Sequence, residues 1–350
     1  MKPRFFCLVL LLLLLLSCAA ENRIGSPDDL GRSQSLLPDT RPWRLLLLIQ
    51  DGMGDVSELL PGGRTRPVFS LHRTIHYLVY CETAHCYVGF NNRIKDTGLG
   101  PTRFEVELVR ITPGGNVFET TLVPIGDRDE MRDCVFSPRS DYALFLTNMQ
   151  NTPISPEKWG VTRLRSLYDL GRVDLLSGET RILARARVES LGEIHPDGER
   201  VLYTDLKGNI CVLSLKDLQE QVITKGEYPY WNSDGTGIRF VKAFSFGKQK
   251  GADTWGCSEG NPYKEFELNL KTGEEKKILR SPADHVRLWS PDRKTLIRLY
   301  YYDKFFRPCL ARITIENADG TNRRTLAKDI LEPGGMLWVK SPEPTLTPAP

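Results

Sequence analysis

The chain has 350 residues, 26% of them charged and 40% hydrophobic, with a formal net charge of +3. That near balance singles out no acidic or basic partner, and no basic block with interleaved aromatics points to nucleic acid. The length accommodates one decorated domain with little left over.

In chain order, Lys2 and Arg4 precede an apolar run from Phe5 to Leu16, followed by Ser17, Cys18, Ala19 and Ala20. A run of about twelve apolar residues is too short to span a bilayer and suits a secretory signal. Leu15-Leu16-Ser17-Cys18 resembles a bacterial lipobox, which implies lipidation of Cys18 and a membrane-anchored, extracytoplasmic protein. The alternative is cleavage after Ala19 or Ala20, which leaves a soluble secreted chain. Residues 19–42 are polar, without a sustained apolar period, and read as a flexible tether. Residues 343–350 are rich in Thr and Pro and read as a disordered tail.

Between these ends a short phrase recurs: a bulky apolar residue, a tight turn of Ser, Pro, Asp or Gly, then an alternating run. It appears at Phe69–Leu78, Phe136–Phe145, Ile194–Tyr203, Tyr230–Phe240 and Trp289–Leu299, and in short form at Trp338–Glu343. A hairpin unit precedes each copy, at Leu45–Leu60, Glu107–Leu122, Val173–Leu183, Val212–Ile223, Glu267–Leu279 and Arg312–Leu326. Ala311, Ile313 and Ile315 alternate with Arg312, Thr314 and Glu316, the pattern of a half-buried antiparallel strand. Six hairpins and six phrases predict an all-β, six-bladed propeller of four-stranded blades over residues 43–342. The step from Ile194 to Trp231 is 37 residues and that from Phe69 to Phe136 is 67. A bare blade needs roughly 40, so most blades carry insertions. The first hairpin and the last strand share one blade of three or four strands, closing the ring.

The phrase at Trp231 and Trp289 resembles the TolB-type, WD40-like propeller repeat. The resemblance implies a role in cell-envelope assembly or maintenance. Glu21–Pro42 is too short for the α/β domain that precedes the propeller in that family, so the expectation is a propeller alone after the signal.

Apart from Cys18, the processed chain would hold Cys81, Cys86, Cys134, Cys211, Cys257 and Cys309. An even number in an exported protein permits disulfides, and the expected pairs are Cys81 with Cys86 and Cys257 with Cys309. Cys134 and Cys211 are either paired or buried thiols. In the expected ring all six lie at the rim opposite the Ser-Pro-Asp-Gly turns.

The insertions Glu82–Arg103, Asn148–Asp169, Ser245–Lys264 and Asp303–Pro308 gather at the same rim. They offer Tyr87, Asn91, Asn92, Arg93, Trp159, Arg163, Trp255, Tyr263, Phe305 and Arg307 as binding residues. Long loops on a rigid scaffold commonly carry function, and Trp, Tyr and Arg are favoured interface anchors. The leading expectation is a non-catalytic, monomeric propeller that binds an envelope protein or a polysaccharide through this rim.

Signs of catalysis are few. There is no Gly-x-Ser-x-Gly elbow, and His72, His76, His85, His195 and His285 lack metal-ligand spacing. No cofactor or metal is expected. Asp51-Gly-Met-Gly resembles a metal-binding phrase of the alkaline phosphatase superfamily, but it fits the hairpin phase of the repeat and lacks the other ligand clusters. The enzymatic alternative is a glycan lyase or hydrolase using Asp133 and Glu193 in the central channel.

Overall fold

The computed structural model describes residues 43–49, 54–60, 63–95, 103–125, 130–153, 164–242, 263–281, 286–303, 310–331 and 333–340. Residues 1–42 with Cys18, the tail, and Asp51, Trp159, Arg163, Trp255, Cys257, His285, Phe305, Arg307 and Cys309 lie outside them.

Blade 1 joins β1 (Trp43–Ile49), β2 (Asp55–Leu59) and β3 (Thr65–Ser70) to the last strand, β24 (Pro333–Lys340). Blade 2 is β4 (Tyr77–Cys81), β5 (Cys86–Lys95), β6 (Arg103–Ile111) and β7 (Val117–Val123). Blade 3 is β8 (Cys134–Phe136), β9 (Tyr142–Pro153), β10 (Leu164–Asp174) and β11 (Thr180–Val188). Blade 4 is β12 (Ser190–Ile194), β13 (Arg200–Thr204), β14 (Asn209–Ser214) and β15 (Glu220–Lys225). Blade 5 is β16 (Glu227–Trp231), β17 (Gly237–Lys242), β18 (Tyr263–Asn269) and β19 (Glu275–Ser281). Blade 6 is β20 (Val286–Trp289), β21 (Thr295–Asp303), β22 (Leu310–Asn317) and β23 (Arg324–Leu331).

All pairings are antiparallel, and the chain is an all-β, six-bladed propeller. The ring closes where β24 pairs with β1, from Trp43 opposite Lys340 to Leu48 opposite Gly335. The closing blade therefore has four strands.

The run Leu45-Leu46-Leu47-Leu48 shows why these sheets stand radially. Leu45 and Leu47 pack with Ile297, Leu299, Ile313 and Ile315 of blade 6. Leu46 and Leu48 point the other way, against Leu78, Val109 and Ile111 of blade 2. All four are almost fully buried. A strand covered on both faces tolerates a continuous apolar run, and each buried leucine contributes about 1.5–3 kcal/mol.

The recurrent phrase has a backbone explanation. Its fourth turn residue is left-handed in every blade with a local first turn: φ is 50° at His85, 53° at Ser140, 77° at Gly198, 73° at Gly235 and 58° at Arg293. Glycine reaches that region without strain. The Ser oxygen at the head of the turn adds a clamp, since Ser290 Oγ accepts from the Thr295 amide at 3.0 Å and donates to Asp292 at 2.6 Å.

His85 belongs to a turn that the sequence pattern placed elsewhere. Phe69–Leu78 is not a first turn: β3 ends at Ser70, the chain crosses to the next blade, and β4 begins at Tyr77. Blade 2 makes its first turn at 82–85, so Cys81 ends the inner strand and Cys86 begins the second. Both cysteines consequently lie at the turn-bearing rim, which corrects their expected placement. They face one another in the ladder as buried free thiols. Cys134 and Cys211 are also buried and free.

Candidate functional site

Two rims follow from the meander. Turns between first and second strands, and between third and fourth, occupy one rim; links from second to third strands occupy the other. The segments 96–102, 154–163, 243–262 and 304–309 each connect a second strand to a third, so all four begin and end at the same rim. The first two are shorter than the expected insertions because β5, β9 and β10 extend into those stretches, and the other two are shifted by one or two residues. Trp43 and Lys340 pair at the opposite rim, so the flanking segments 1–42 and 341–350 join the ring on the turn-bearing side.

The candidate binding residues divide on this frame. Tyr87 is not a loop residue. It sits on β5 with only 3% of its surface exposed, its ring 5.2 Å from Phe69 and 5.1 Å from Tyr80. A side chain packed in this way holds blades 1 and 2 together and cannot anchor a partner. Arg93 stands exposed near the loop-rim end of β5, 3.7 Å from Glu107. Asn91 donates to Glu107 at 3.1 Å, while Asn92 bridges to Met131 through its side-chain oxygen and nitrogen, so both serve the fold. Tyr263 opens β18 at the loop rim, opposite Ser281.

The two carboxylates proposed for the channel have other work. Asp133 precedes β8 and accepts the Cys134 amide at 3.0 Å and the amide of Leu191 on the inner strand of blade 4. Glu193, on β12, accepts the Trp231 amide at 2.9 Å from the inner strand of blade 5 and pairs with Arg293 at 2.7 Å. Each acid thus satisfies a backbone donor on the next blade's inner strand, whose channel-facing edge has no ladder partner. Burial raises both carboxyls above the usual carboxylate range, and the hydrogen bonds and Arg293 only partly offset it. Arg293 also reaches the carbonyls of Asn232 and Ser233 and lies over the Trp289 ring at 4.9 Å, which ties blades 4, 5 and 6 together.

The histidines are dispersed. His195 is buried, edge-on to Trp231 at 4.5 Å and 2.7 Å from Asp197. Burial lowers His76, against the raising influence of Glu130. Among the described residues no three His, Cys, Asp or Glu side chains gather as a metal site.

A buried charged cluster went unrecognised in the sequence. Arg298 on β21 donates to Glu316 at 2.6 Å within blade 6, to Glu265 of blade 5 at 3.0 Å and to the Tyr230 hydroxyl at 2.9 Å. Tyr230 in turn donates to Glu265. All four side chains are buried. Among the described residues the apolar cluster at this seam has Tyr230, Trp289 and Leu296 as its buried members, and ion pairs lie beside it where the other seams hold leucines and valines. Glu316 and Thr314 looked like the solvated face of a strand; a second blade covers that face.

No sequence family and no curated protein matches the chain. Solved structures do. TolB from Acinetobacter baumannii aligns at 14% identity and a TM-score of 0.52, over 85% of this chain and 66% of the TolB chain. The likeness is to its propeller. A candidate 6-phosphogluconolactonase from Bacteroides fragilis aligns at 10% identity and a TM-score of 0.50, over 87% of this chain and 99% of that one. An oligogalacturonate lyase from Vibrio parahaemolyticus reaches 11% identity and a TM-score of 0.47, over 84% of this chain and 81% of that one. At these identities the comparisons establish the fold alone.

Proposed function

We propose that this protein is an exported, lipid-anchored, non-catalytic propeller that binds an envelope protein or polysaccharide through the rim carrying segments 96–102, 154–163, 243–262 and 304–309. The observation that carries the reading is the separation of the two rims. The four long connections start and finish on one side, and the lead from residues 1–42 enters on the other. A lipid on Cys18 with a flexible tether of residues 19–42 reaches about 25–30 Å and holds the turn-bearing rim toward the membrane. The connection-bearing rim then faces outward, where a partner is met. Arg93 and the start of β18 at Tyr263 border that rim, and Trp159, Arg163, Trp255, Phe305 and Arg307 belong to its connections.

The engagement of Asp133 and Glu193 with backbone amides supports binding over the glycan-cleaving alternative. Proton transfer needs an acid within reach of a substrate, whereas both carboxylates already hold backbone amides and Glu193 also holds Arg293. The TolB-like propeller fits an envelope setting without specifying a partner.

The test replaces segments 154–163 and 243–262, singly and together, with two-residue Asn-Gly turns in the full-length lipidated chain. Crosslinked partners are then recovered from the native envelope. Loss of the wild-type partner with an unchanged unfolding midpoint is expected; an unchanged partner profile refutes the reading. Export also has a chemical corollary. Opposed residues on antiparallel strands lie about 4.5–5.5 Å apart at Cα, within disulfide span, so Cys81 and Cys86 should join by exchange with a protein disulfide oxidant. Non-reducing mass mapping of exported protein decides it: a linked peptide pair is expected, and two alkylated thiols contradict it.

A further inference from the structure

The seam between blades 3 and 4 holds a cavity of about 390 Å³. Val188, Leu213 and Leu218 are among its apolar lining, and Arg185, Arg187 and Glu220 are its charged members. None of these residues belongs to the four long connections.

Both walls are built against local backbone preference. Two steps along β10, from Tyr168 to Leu170, span four along β11, from Val188 to Ala184, so β11 bulges by two residues. Ala186, in the middle of the bulge, holds a φ of 48°. Asp169 stands opposite it on β10, almost fully buried. Its carboxylate accepts the Ala186 amide at 2.7 Å and the Asn148 side-chain amide at 2.9 Å, which fixes the bulge. Arg185 and Arg187 flank Ala186 and both reach the cavity. On the blade 4 side, Leu218 holds a φ of 58° at a turn place that is Gly178 in blade 3 and Gly273 in blade 5. Bulges re-aim side chains beside functional sites, and left-handed non-glycine residues gather at ligand clamps. Here two such residues border one cavity.

Charge decides what the cavity suits. The Arg185 and Arg187 side chains are 76% and 66% exposed, and their ion pairs are long, at 3.9 Å to Asp169 and 3.5 Å to Glu220. Asp169 is engaged by the bulge, and Glu220 accepts the Tyr203 hydroxyl. Two guanidinium groups against one carboxylate leave the lining net positive beside an apolar floor. Guanidinium matches the two oxygens of a carboxylate, and apolar cavities of this size with a few placed polar groups suit small molecules. We propose that this seam binds a small amphiphilic carboxylate, its anionic end on Arg185 and Arg187 and its apolar body against Val188, Leu213 and Leu218. The site is separate from the connection-bearing rim and independent of what that rim binds.

Calorimetric titration of the full chain with decanoate, decanol and decyltrimethylammonium tests the idea. It is repeated with Arg185→Gln/Arg187→Gln and with Leu218→Gly. The arginines are largely exposed and glycine suits the backbone at 218, so an unfolding midpoint no lower than the wild type's verifies each fold. Decanoate is expected to bind one to one and more tightly than the other two probes. The glutamine pair should weaken decanoate by about tenfold or more and leave decanol unaffected, while Leu218→Gly weakens both. No saturable binding of decanoate to the wild type, equal binding of all three probes, or a variant that binds decanoate as the wild type does overturns the proposal.

Discussion

Ser140 occupies the turn position that is glycine in blades 4 and 5, and it holds a φ of 53°. A left-handed non-glycine residue costs roughly 1–2 kcal/mol, and glycine returns part of that as unfolded-state entropy. Ser140→Gly is therefore expected to stabilise the propeller by about 0.5–1 kcal/mol, read as a shift in denaturant midpoint without a change in slope. Arg293 is left-handed for a different reason, since its guanidinium links three blades and the strain is offset there. Glu58 gives a prediction in pH. Burial alone would raise its carboxyl, but hydrogen bonds from Arg44 and Arg66 outweigh burial and hold it below the usual range. Its stabilisation is complete above the unfolded value of about 4.3 and is lost as pH falls through the lower folded value. Glu58→Gln should thus lower stability at neutral pH and flatten the acid limb of the stability profile. A parallel profile with no loss at neutral pH would show that the two arginines add nothing.

At the scale of elements, the seam between blades 5 and 6 stands apart because β18, β21 and β22 meet there through Glu265, Arg298 and Glu316 rather than through leucine. Removing one member of a buried ionic cluster leaves the others uncompensated and costs about 3–5 kcal/mol. Arg298→Ala should fall in that range by chemical denaturation, and a loss below about 1 kcal/mol would mean that water already reaches the cluster. The same strands mark where the sequence stopped being legible. Alternation of Ile313 and Ile315 with Thr314 and Glu316 reported a strand correctly, but the inference of a solvated polar face fails in a ring where each sheet is covered twice. Turns with Pro, Asp and Gly placed blades 3 to 6. Blade 2 turns on Glu82-Thr83-Ala84-His85, which has neither Pro nor Gly, so the pattern slipped back to Phe69 and carried Cys81, Cys86 and Tyr87 to the wrong rim. Asp133 and Glu193 stand out in the sequence only as acids just ahead of inner-strand anchors. Their hydrogen bonds to Leu191 and Trp231 depend on how adjacent inner strands sit, which no local spacing encodes.

For the whole molecule, the first and last strands make one sheet, and that closure joins blade 6 to blade 2 through Leu45–Leu48. Deleting residues 333–350 uncovers one edge of β1 and opens the ring. Loss of the single cooperative unfolding transition is the expected outcome, and a truncated chain that unfolds with the full-length midpoint would contradict the role of β24. The closed ring also fixes which strand ends meet on each side: those flanking the four connections on one rim, Trp43 and Lys340 on the other. Photo-crosslinking in intact envelopes compares these sides most directly. A photoreactive side chain is placed at Arg93 or Lys242, at the loop-rim ends of β5 and β17, or at Lys271 or Asp319, in turns of the other rim. Binding through the connection-bearing rim predicts one discrete crosslinked partner from Arg93 and Lys242 and none from Lys271 or Asp319. The same partner captured from Lys271 and Asp319 instead, or equally from all four positions, would contradict it.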